Sequence, residues 1–148
     1  MRLNGFGIEI DLPEGWEGRI YRRPEGDPTL HAANFPLPVE DGDFGATALR
    51  SIGSGGVFIA LTEYRHDVGG QGLFERTDLS LPLRSGDFSP AALQRTRPGQ
   101  TGLQRFAMLS GRPFCLYAVV GARSRVDAHS PVNQANRVLA TLSVAPTG

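Results

Sequence analysis

The chain has 148 residues, of which 40% are hydrophobic and 20% are charged, so its composition is that of a folded protein and not of a disordered segment. Its formal net charge is zero, which removes any global electrostatic attraction to nucleic acid or to an anionic membrane. All fifteen basic residues are arginines, so chemistry that needs a Schiff-base lysine or a P-loop lysine is excluded.

Length and cysteine content predict one soluble domain. A chain of this length builds a single core, so residues 1–148 are expected to form one globular domain. The only cysteine, Cys115, excludes an internal disulfide and fits a reducing compartment. No apolar run approaches the roughly 18 residues of a membrane span, and the N-terminus lacks the apolar stretch of a secretory signal. We therefore expect a cytoplasmic protein of bacterial type.

Two strands joined by a tight turn are predicted near the N-terminus. Residues 6–12 alternate apolar with small or charged side chains, which is typical of a half-buried strand. Residues 13–15 (Pro-Glu-Gly) form a turn, and Trp16 is expected to anchor it against the core. Residues 17–23 then have the pattern of the return strand of a hairpin.

Two further strands and a short helix are predicted before residue 73. Residues 29–35 form a third strand that ends at Pro36, and residues 46–52 have room for two helical turns before a glycine-rich break. Residues 57–64 begin apolar on both faces, so we expect this strand near the centre of the sheet. Residues 65–72 are polar and rich in glycine, as in a connecting loop.

The middle of the chain gives weaker signals. Residues 73–83 are ambiguous, although their alternating leucines favour a short edge strand interrupted by a proline. Ser89 followed by Pro90 is typical of a helix start, with serine as the N-cap and proline at the first helical position. Pro98-Gly99 ends that helix, so it is expected to be short.

The strongest prediction is the strand at residues 113–120. It is the longest nearly unbroken apolar run, and it is rich in aromatic and β-branched residues. With a strand at 103–109 it makes a hairpin over residues 102–121. Both of its faces are apolar, so it is predicted to be a central strand that is covered on each side. One face carries Phe114, Leu116, Ala118 and Val120, and the other carries Cys115, Tyr117 and Val119.

A C-terminal amphipathic helix is predicted at residues 131–142, after a polar loop at residues 123–128. Ser130-Pro131 repeats the pattern of a capping serine followed by proline. The apolar stripe of this helix is expected to cover one face of the sheet. Its members at helical spacing are Val132, Ala135, Val138, Leu139 and Leu142.

Together these elements predict an α+β fold, with a mainly antiparallel central β-sheet, the C-terminal amphipathic helix, and one or two short helices packed on the sheet. The order of elements, the turn at Leu12–Trp16 and the helix end at Val138–Leu142 resemble the PsbP-like α/β sandwich, the group of the Ran-binding Mog protein. The resemblance implies a binding fold whose members look mostly like non-enzymatic adaptors. It carries over no ligand-binding residue.

Charge is segregated along the chain. Residues 1–50 hold nine acids and five arginines, residues 51–83 hold four acids and two arginines, and residues 84–148 hold two acids and eight arginines. Either the two ends pair across the fold, or the basic segment receives an acidic partner. A hairpin turn and the far end of its strand are about 25–30 Å apart, so a diffuse basic face is favoured over one phosphate pocket. The candidate binding residues are Arg95, Arg97, Arg105, Arg112, Arg123 and Arg125.

No spacing predicts a catalytic or metal centre. A Cys115 nucleophile needs a histidine base beside it, and a thiol in the middle of an apolar strand is expected to be buried and inert. No spacing forces His31, His66 or His129 into that position. Histidines and cysteine show no metal-ligand spacing, and the acidic run at residues 40–43 lacks the EF-hand pattern. The glycine clusters match no phosphate loop, so no cofactor is expected.

We therefore expect a non-enzymatic protein-binding domain, such as an adaptor, chaperone or assembly factor, whose partner is a protein with an acidic surface. Nucleic acid is not expected, because aromatic residues do not interleave with the arginines. One alternative is a small-molecule-binding or enzymatic domain with a cleft beside the sheet, near His66, His129 or Cys115. Another is a structural subunit of a larger assembly, with an apolar sheet edge or residues 73–83 as its interface. A homo-oligomer is compatible with each.

Overall fold

The structure, a computed structural model, describes residues 1–24, 26–65 and 72–146. Within these ranges the chain forms two antiparallel sheets and a C-terminal helix, which confirms the predicted α+β fold with a mainly antiparallel sheet. No helix in the described ranges is long and apolar enough to cross a membrane. The elements are β1 (Arg2–Gly5), β2 (Ile8–Asp11), β3 (Glu17–Arg22), β4 (Pro28–Ala33), β5 (Val57–Glu63), β6 (Gln100–Leu109), β7 (Arg112–Gly121), α1 (Arg125–Leu139) and β8 (Ser143–Val144).

The larger sheet has five strands in the order β3-β4-β5-β7-β6, and all neighbours are antiparallel. Strand β7 lies inside this sheet and every one of its residues is buried, which confirms the predicted central strand. The hairpin of β6 and β7 is also confirmed. Ser110 and Gly111 turn the chain with φ values of 51° and 78°, the left-handed conformation that a two-residue hairpin loop requires.

Helix α1 covers one face of the larger sheet, as predicted, but it begins before the predicted residue 131 and ends at Leu139, before the predicted end at about residue 142. Its first residue is Arg125, and Ser124 rather than Ser130 is the N-cap, because the Ser124 Oγ accepts a hydrogen bond of 3.1 Å from the Asp127 N–H. The predicted loop at 123–128 is therefore mostly helical, and Pro131 lies inside the helix. The buried stripe that packs toward β5 and β7 includes Ala128, Val132, Ala135, Val138 and Leu139.

The opposite face of the sheet is covered by loops. Phe58 and Tyr117 form the base of this second core. The predicted helix at 46–52 is only a 3₁₀ turn at Ala48–Arg50, which the Asp41 carboxylate holds by accepting hydrogen bonds from two backbone N–H groups, each at 2.8 Å. These loops place their apolar side chains over the sheet, including Phe35, Leu37, Phe44, Leu49, Ile52 and Leu93.

The smaller sheet corrects the predicted N-terminal hairpin. Its strand order is β1-β2-β8, and β3 pairs with β4 and not with β2, so the hairpin predicted between residues 6–12 and 17–23 is wrong. Phe6 and Gly7 are the turn, with φ values of 53° and 80°, and they return the chain along β1. The physical reason is that this two-residue turn closes a tighter hairpin than the one predicted around Pro13.

Residues 73–83 form no strand, so the predicted edge strand is wrong. The segment begins with a 3₁₀ turn at Gly72–Phe74 and is otherwise irregular. Its backbone is tied to helix α1 at one end and to the edge of β6 at the other. The Leu83 N–H donates to the Asn136 Oδ1 at 2.6 Å, and the Asn136 Nδ2 donates to the Leu83 carbonyl at 2.8 Å. The Arg76 carbonyl accepts from the Met108 N–H at 2.8 Å. The predicted loop at 65–72 falls largely outside the described residues.

The short helix predicted after Ser89 is a 3₁₀ turn at Pro90–Ala92. Its start is as predicted, because the Ser89 Oγ accepts a hydrogen bond from the Ala91 N–H at 3.1 Å and proline occupies the first position. The backbone of Ser89 also bridges to Gly102 of β6, which brings this turn to the edge of the larger sheet.

Candidate functional site

One part of the candidate site is a tight turn that precedes β6. The Gln100 N–H donates to the Arg97 carbonyl at 3.3 Å across Pro98 and Gly99, and Gly99 has a φ of 75°. Proline followed by a left-handed glycine is the sequence that a type II turn requires. After β7, the Ala122 N–H donates to the Gly99 carbonyl at 2.9 Å. This bond holds the chain that leaves β7 against the turn that carries Arg97.

The N-terminus of α1 follows at once. Arg123 lies between Ala122 and the capping Ser124, and Arg125 is the first residue of the helix. A helix N-terminus carries a partial positive charge of about half a unit, which adds to the charge of the two guanidinium groups. Asp127 in the first turn offsets part of that charge. Both arginine side chains are exposed, and Arg97 is half-buried.

These three arginines line one cleft, which we call the arginine cleft. Its volume is about 510 Å³, and it lies between the turn at residues 97–100, the start of α1 and the segment around Phe88. None of the residues that line it is acidic. Within the described ranges, none of the three guanidinium groups forms a hydrogen bond or an ion pair. The cleft therefore concentrates positive charge whose donors are available. Its arginines are Arg97, Arg123 and Arg125.

Arg105 lies elsewhere and is engaged within the fold. Its guanidinium donates to the Leu79 carbonyl at 3.0 Å and to the Ser80 carbonyl at 2.7 Å. It also forms an ion pair with Asp87 at 2.9 Å. Because carbonyls and a carboxylate of the same chain already accept its donors, this arginine fixes the irregular segment before β6 and leaves little for a ligand.

Arg112 is buried and ties the two sheets together. Its Nε and one terminal nitrogen donate to the Glu63 carboxylate at 3.0 and 2.7 Å, and both side chains are at most 5% exposed. The terminal nitrogens also donate to the carbonyls of Phe6 at 3.0 Å and Ala145 at 2.9 Å, which belong to the smaller sheet and its flank. The guanidinium carbon lies 5.2 Å from the centre of the Phe114 ring. Arg112 is therefore structural.

The six predicted arginines thus separate into three groups. Arg105 and Arg112 are internal, and Arg95 is exposed and does not line the arginine cleft. The sequence favoured a diffuse basic face, whereas the structure brings three of the six into one cleft. The sequence also missed Glu63 as the partner of Arg112. The available signal was a lone charge at the end of each of two strands that are otherwise apolar, since a buried charge requires a partner.

The described residues do not assemble the Cys–His pair that a cysteine nucleophile would need. Burial raises the pKa of the Cys115 thiol to about 12. Cys115 points to the sheet face opposite α1, whereas His129 lies on α1, with its Nδ1 3.2 Å from the Ser85 Oγ. His66 falls outside the described residues. His31 is buried, and its Nε2 donates to the Asp43 carbonyl at 2.9 Å.

A second cleft, of about 500 Å³, lies at the end of β5 beside Tyr64. Two arginines and two aspartates line it, so its charges balance, and Arg23 and Asp43 form an ion pair at 2.7 Å. In the described part of the chain, no group of three or more histidine, cysteine, aspartate or glutamate residues is placed to hold a metal ion. Because the charges of the second cleft balance and no acidic residue lines the arginine cleft, the arginine cleft carries the higher net charge.

Comparisons with known proteins found no match. No protein-family model matches the chain, and no curated protein or solved structure matches it. The function is therefore inferred from the residues of the cleft and their surroundings.

Proposed function

We propose that this chain is a non-enzymatic protein-binding domain, and that the arginine cleft receives an acidic segment of the partner protein. The observation that carries the proposal is that three arginines meet at one cleft without an acidic neighbour in its lining and without a partner in the described ranges. Elsewhere in the same structure, arginines that lie close to carboxylates or carbonyls are engaged by them.

The chemistry of the guanidinium group favours carboxylates as the bound groups. Each guanidinium presents five N–H donors in a planar fork, and a carboxylate accepts two of them side by side. Like charges held in one cleft repel one another, and an acidic segment relieves that repulsion as it binds. Because the cleft opens to solvent, the attraction is screened by salt, so binding should weaken as ionic strength rises.

Two further features support a binding role. Residues 84–148 carry a net positive charge and supply all three arginines of the cleft, which favours the attraction of an acidic partner. The resemblance of the element order to PsbP-like sandwiches, whose members look mostly like non-enzymatic adaptors, points to the same class of function. The raised thiol pKa of Cys115 argues against the cysteine-nucleophile alternative.

Charge reversal with a matched control tests the proposal. The test variant is Arg123→Glu with Arg125→Glu, and the control is Arg50→Glu with Arg137→Glu, which changes net charge equally at exposed positions outside the cleft. Tagged wild-type protein and both variants are used to capture partners from the source cells at low and high salt, and mass spectrometry quantifies each stoichiometric partner. At low salt we expect the test variant to capture about tenfold less of the partner than wild type does, and the control to capture the wild-type amount.

Each outcome of this experiment discriminates between functions. A partner that is lost at high salt and by the test variant alone supports the proposal. Equal capture by both variants contradicts it, and capture that survives high salt indicates an apolar interface and a structural subunit. If wild-type protein captures nothing in either condition, the protein-binding proposal fails, and a ligand screen by thermal shift becomes the test of the small-molecule alternative.

A further inference from the structure

The outer edge of β6 is open in its middle. Residues Gly102 and Met108 direct their backbone N–H groups away from β7, because they donate to the carbonyls of Ser89 at 3.1 Å and Arg76 at 2.8 Å. Backbone direction alternates along a strand, so Gln104 and Phe106 also direct their N–H and C=O groups outward. Within the described ranges, no backbone group pairs with the outward N–H and C=O groups of Gln104 and Phe106.

The open part of the edge is short and is closed at both ends. Five residues separate Gly102 from Met108, which corresponds to roughly 17 Å of antiparallel strand. The chain itself occupies the positions beside Gly102 and Met108, because the Ser89 and Arg76 carbonyls accept hydrogen bonds from the N–H groups of these two residues. What remains is a slot, which we call the edge recess, with room beside β6 for about four or five extended residues.

The edge recess also has walls on both faces of the sheet. On one face, the Gln104 side chain donates to the Ala92 carbonyl at 3.2 Å and fixes the turn after Pro90. On the other face, Arg105 holds Asp87 at 2.9 Å. A cavity of about 450 Å³ lies between these walls. Its two charged lining residues are paired with each other and its remaining lining is uncharged.

We propose that the edge recess binds an extended, uncharged peptide segment of another protein, which adds to the sheet as a short strand beside β6. Only an extended backbone offers donors and acceptors at the spacing of the outward groups of Gln104 and Phe106. The neutral lining and the small side chains of Ala91 and Ala92 set the chemistry of the segment, which is uncharged and carries small residues on that side. This site shares no residue with the arginine cleft and does not rest on the function proposed for it.

A second copy of this chain does not fit the recess. Two β6 strands placed side by side, with their open parts opposed, bring the Ser89 segment of one copy into the space of the Arg76 segment of the other. Both segments lie beyond the edge, in the plane of the sheet, because each is hydrogen-bonded to it there. The occupant must therefore be a narrow strand with free ends or flexible flanks, as a peptide segment is.

A proline substitution isolates the backbone contribution. Gln104→Pro removes the outward N–H and leaves the β6–β7 ladder intact, since proline is tolerated where an edge strand directs its N–H to solvent. Gln104→Ala is the matched control, because it removes the side-chain bond to Ala92 and keeps the N–H. Peptides selected from a phage-displayed library of short random sequences are then titrated by calorimetry against wild-type protein and both variants. We expect affinity to fall roughly tenfold in Gln104→Pro and to change little in Gln104→Ala.

Amide hydrogen exchange of the wild-type protein keeps the test independent of how the proline variant folds. The Gln104 and Phe106 amides should exchange rapidly in the free protein and become protected by a selected peptide, and Arg123→Glu with Arg125→Glu should leave this protection unchanged. The proposal is overturned if no uncharged peptide is enriched, if Gln104→Pro binds as well as Gln104→Ala, or if the two amides are already protected in the free protein. The last result would show that the chain itself fills the recess.

Discussion

Replacement of Arg112 by methionine should destabilise the fold without removing a binding group. Methionine keeps much of the length of the side chain and loses four hydrogen bonds, two to the Glu63 carboxylate and one each to the carbonyls of Phe6 and Ala145. The last two bonds connect the smaller sheet to the larger one. The variant therefore tests whether this arginine, which the sequence placed among the binding residues, is a structural tie.

The expected cost follows from burial. Arg112 and Glu63 are 4% and 2% exposed, and the loss of one partner of a buried ion pair costs about 3–5 kcal/mol. That is a large share of the roughly 5–15 kcal/mol that stabilises a typical domain. For a chain of this size, each kcal/mol lowers the melting temperature by roughly 2–4 °C, so we expect a decrease of roughly 6–20 °C.

Urea unfolding followed by circular dichroism measures the effect, with Glu63→Leu and the double variant completing a mutant cycle. The double variant removes both charges, so it should be about 2 kcal/mol more stable than the sum of the single effects predicts. It should not recover fully, because the Phe6 and Ala145 carbonyls still lose their donor. A loss below about 1 kcal/mol in Arg112→Met, or strict additivity in the cycle, would refute the structural assignment.

Two titratable side chains give further predictions. Because burial raises the pKa of Cys115 to about 12, iodoacetamide at mildly alkaline pH should label the thiol only after urea unfolds the chain, and stoichiometric labelling of the folded protein would contradict its burial. Burial lowers the pKa of His31 below its ordinary 6.5, so the unfolded chain takes up a proton that the folded chain resists. The contribution of His31 to the free energy of unfolding is therefore complete above about pH 6.5 and is lost as the pH falls below that value, and His31→Gln should flatten this decrease; an unchanged slope counts against it.

The central hairpin could be predicted because its signal is local. Residues 113–120 are apolar on both faces, and only a strand covered on both sides accommodates that pattern. The smaller sheet could not be predicted in the same way. Its strand β8 has two residues and pairs with β2 from the other end of the chain, and side-chain periodicity in two residues carries no information about pairing. The start of α1 was misplaced because Ser130-Pro131 has the pattern of a helix start, whereas the serine that caps the helix is Ser124, which no proline follows.

The sequence predicted the candidate site only in part, for a related reason. Composition showed a net positive charge in residues 84–148, but which of the arginines meet follows from the fold, in which a backbone hydrogen bond joins Ala122 to Gly99. That bond joins residues on either side of the hairpin, so it follows from strand register and not from sequence spacing. The pairing of Arg112 with Glu63 likewise spans 49 positions and follows from the pairing of β5 with β7.

Identical residue types therefore have opposite roles in this fold, and the difference lies in their acceptors. The Arg112 guanidinium is surrounded by a carboxylate and two carbonyls of its own chain, so its donors are used in holding the sheets together. Arg123 and Arg125 lie at a helix N-terminus, where the backbone presents N–H groups, and in the described part of the chain no acceptor is bonded to their guanidinium groups. Their donors are therefore available to an acceptor from outside. Substitution of Arg112 should then change stability more than capture, and substitution of Arg123 and Arg125 should change capture more than stability. The reverse pattern would contradict both assignments.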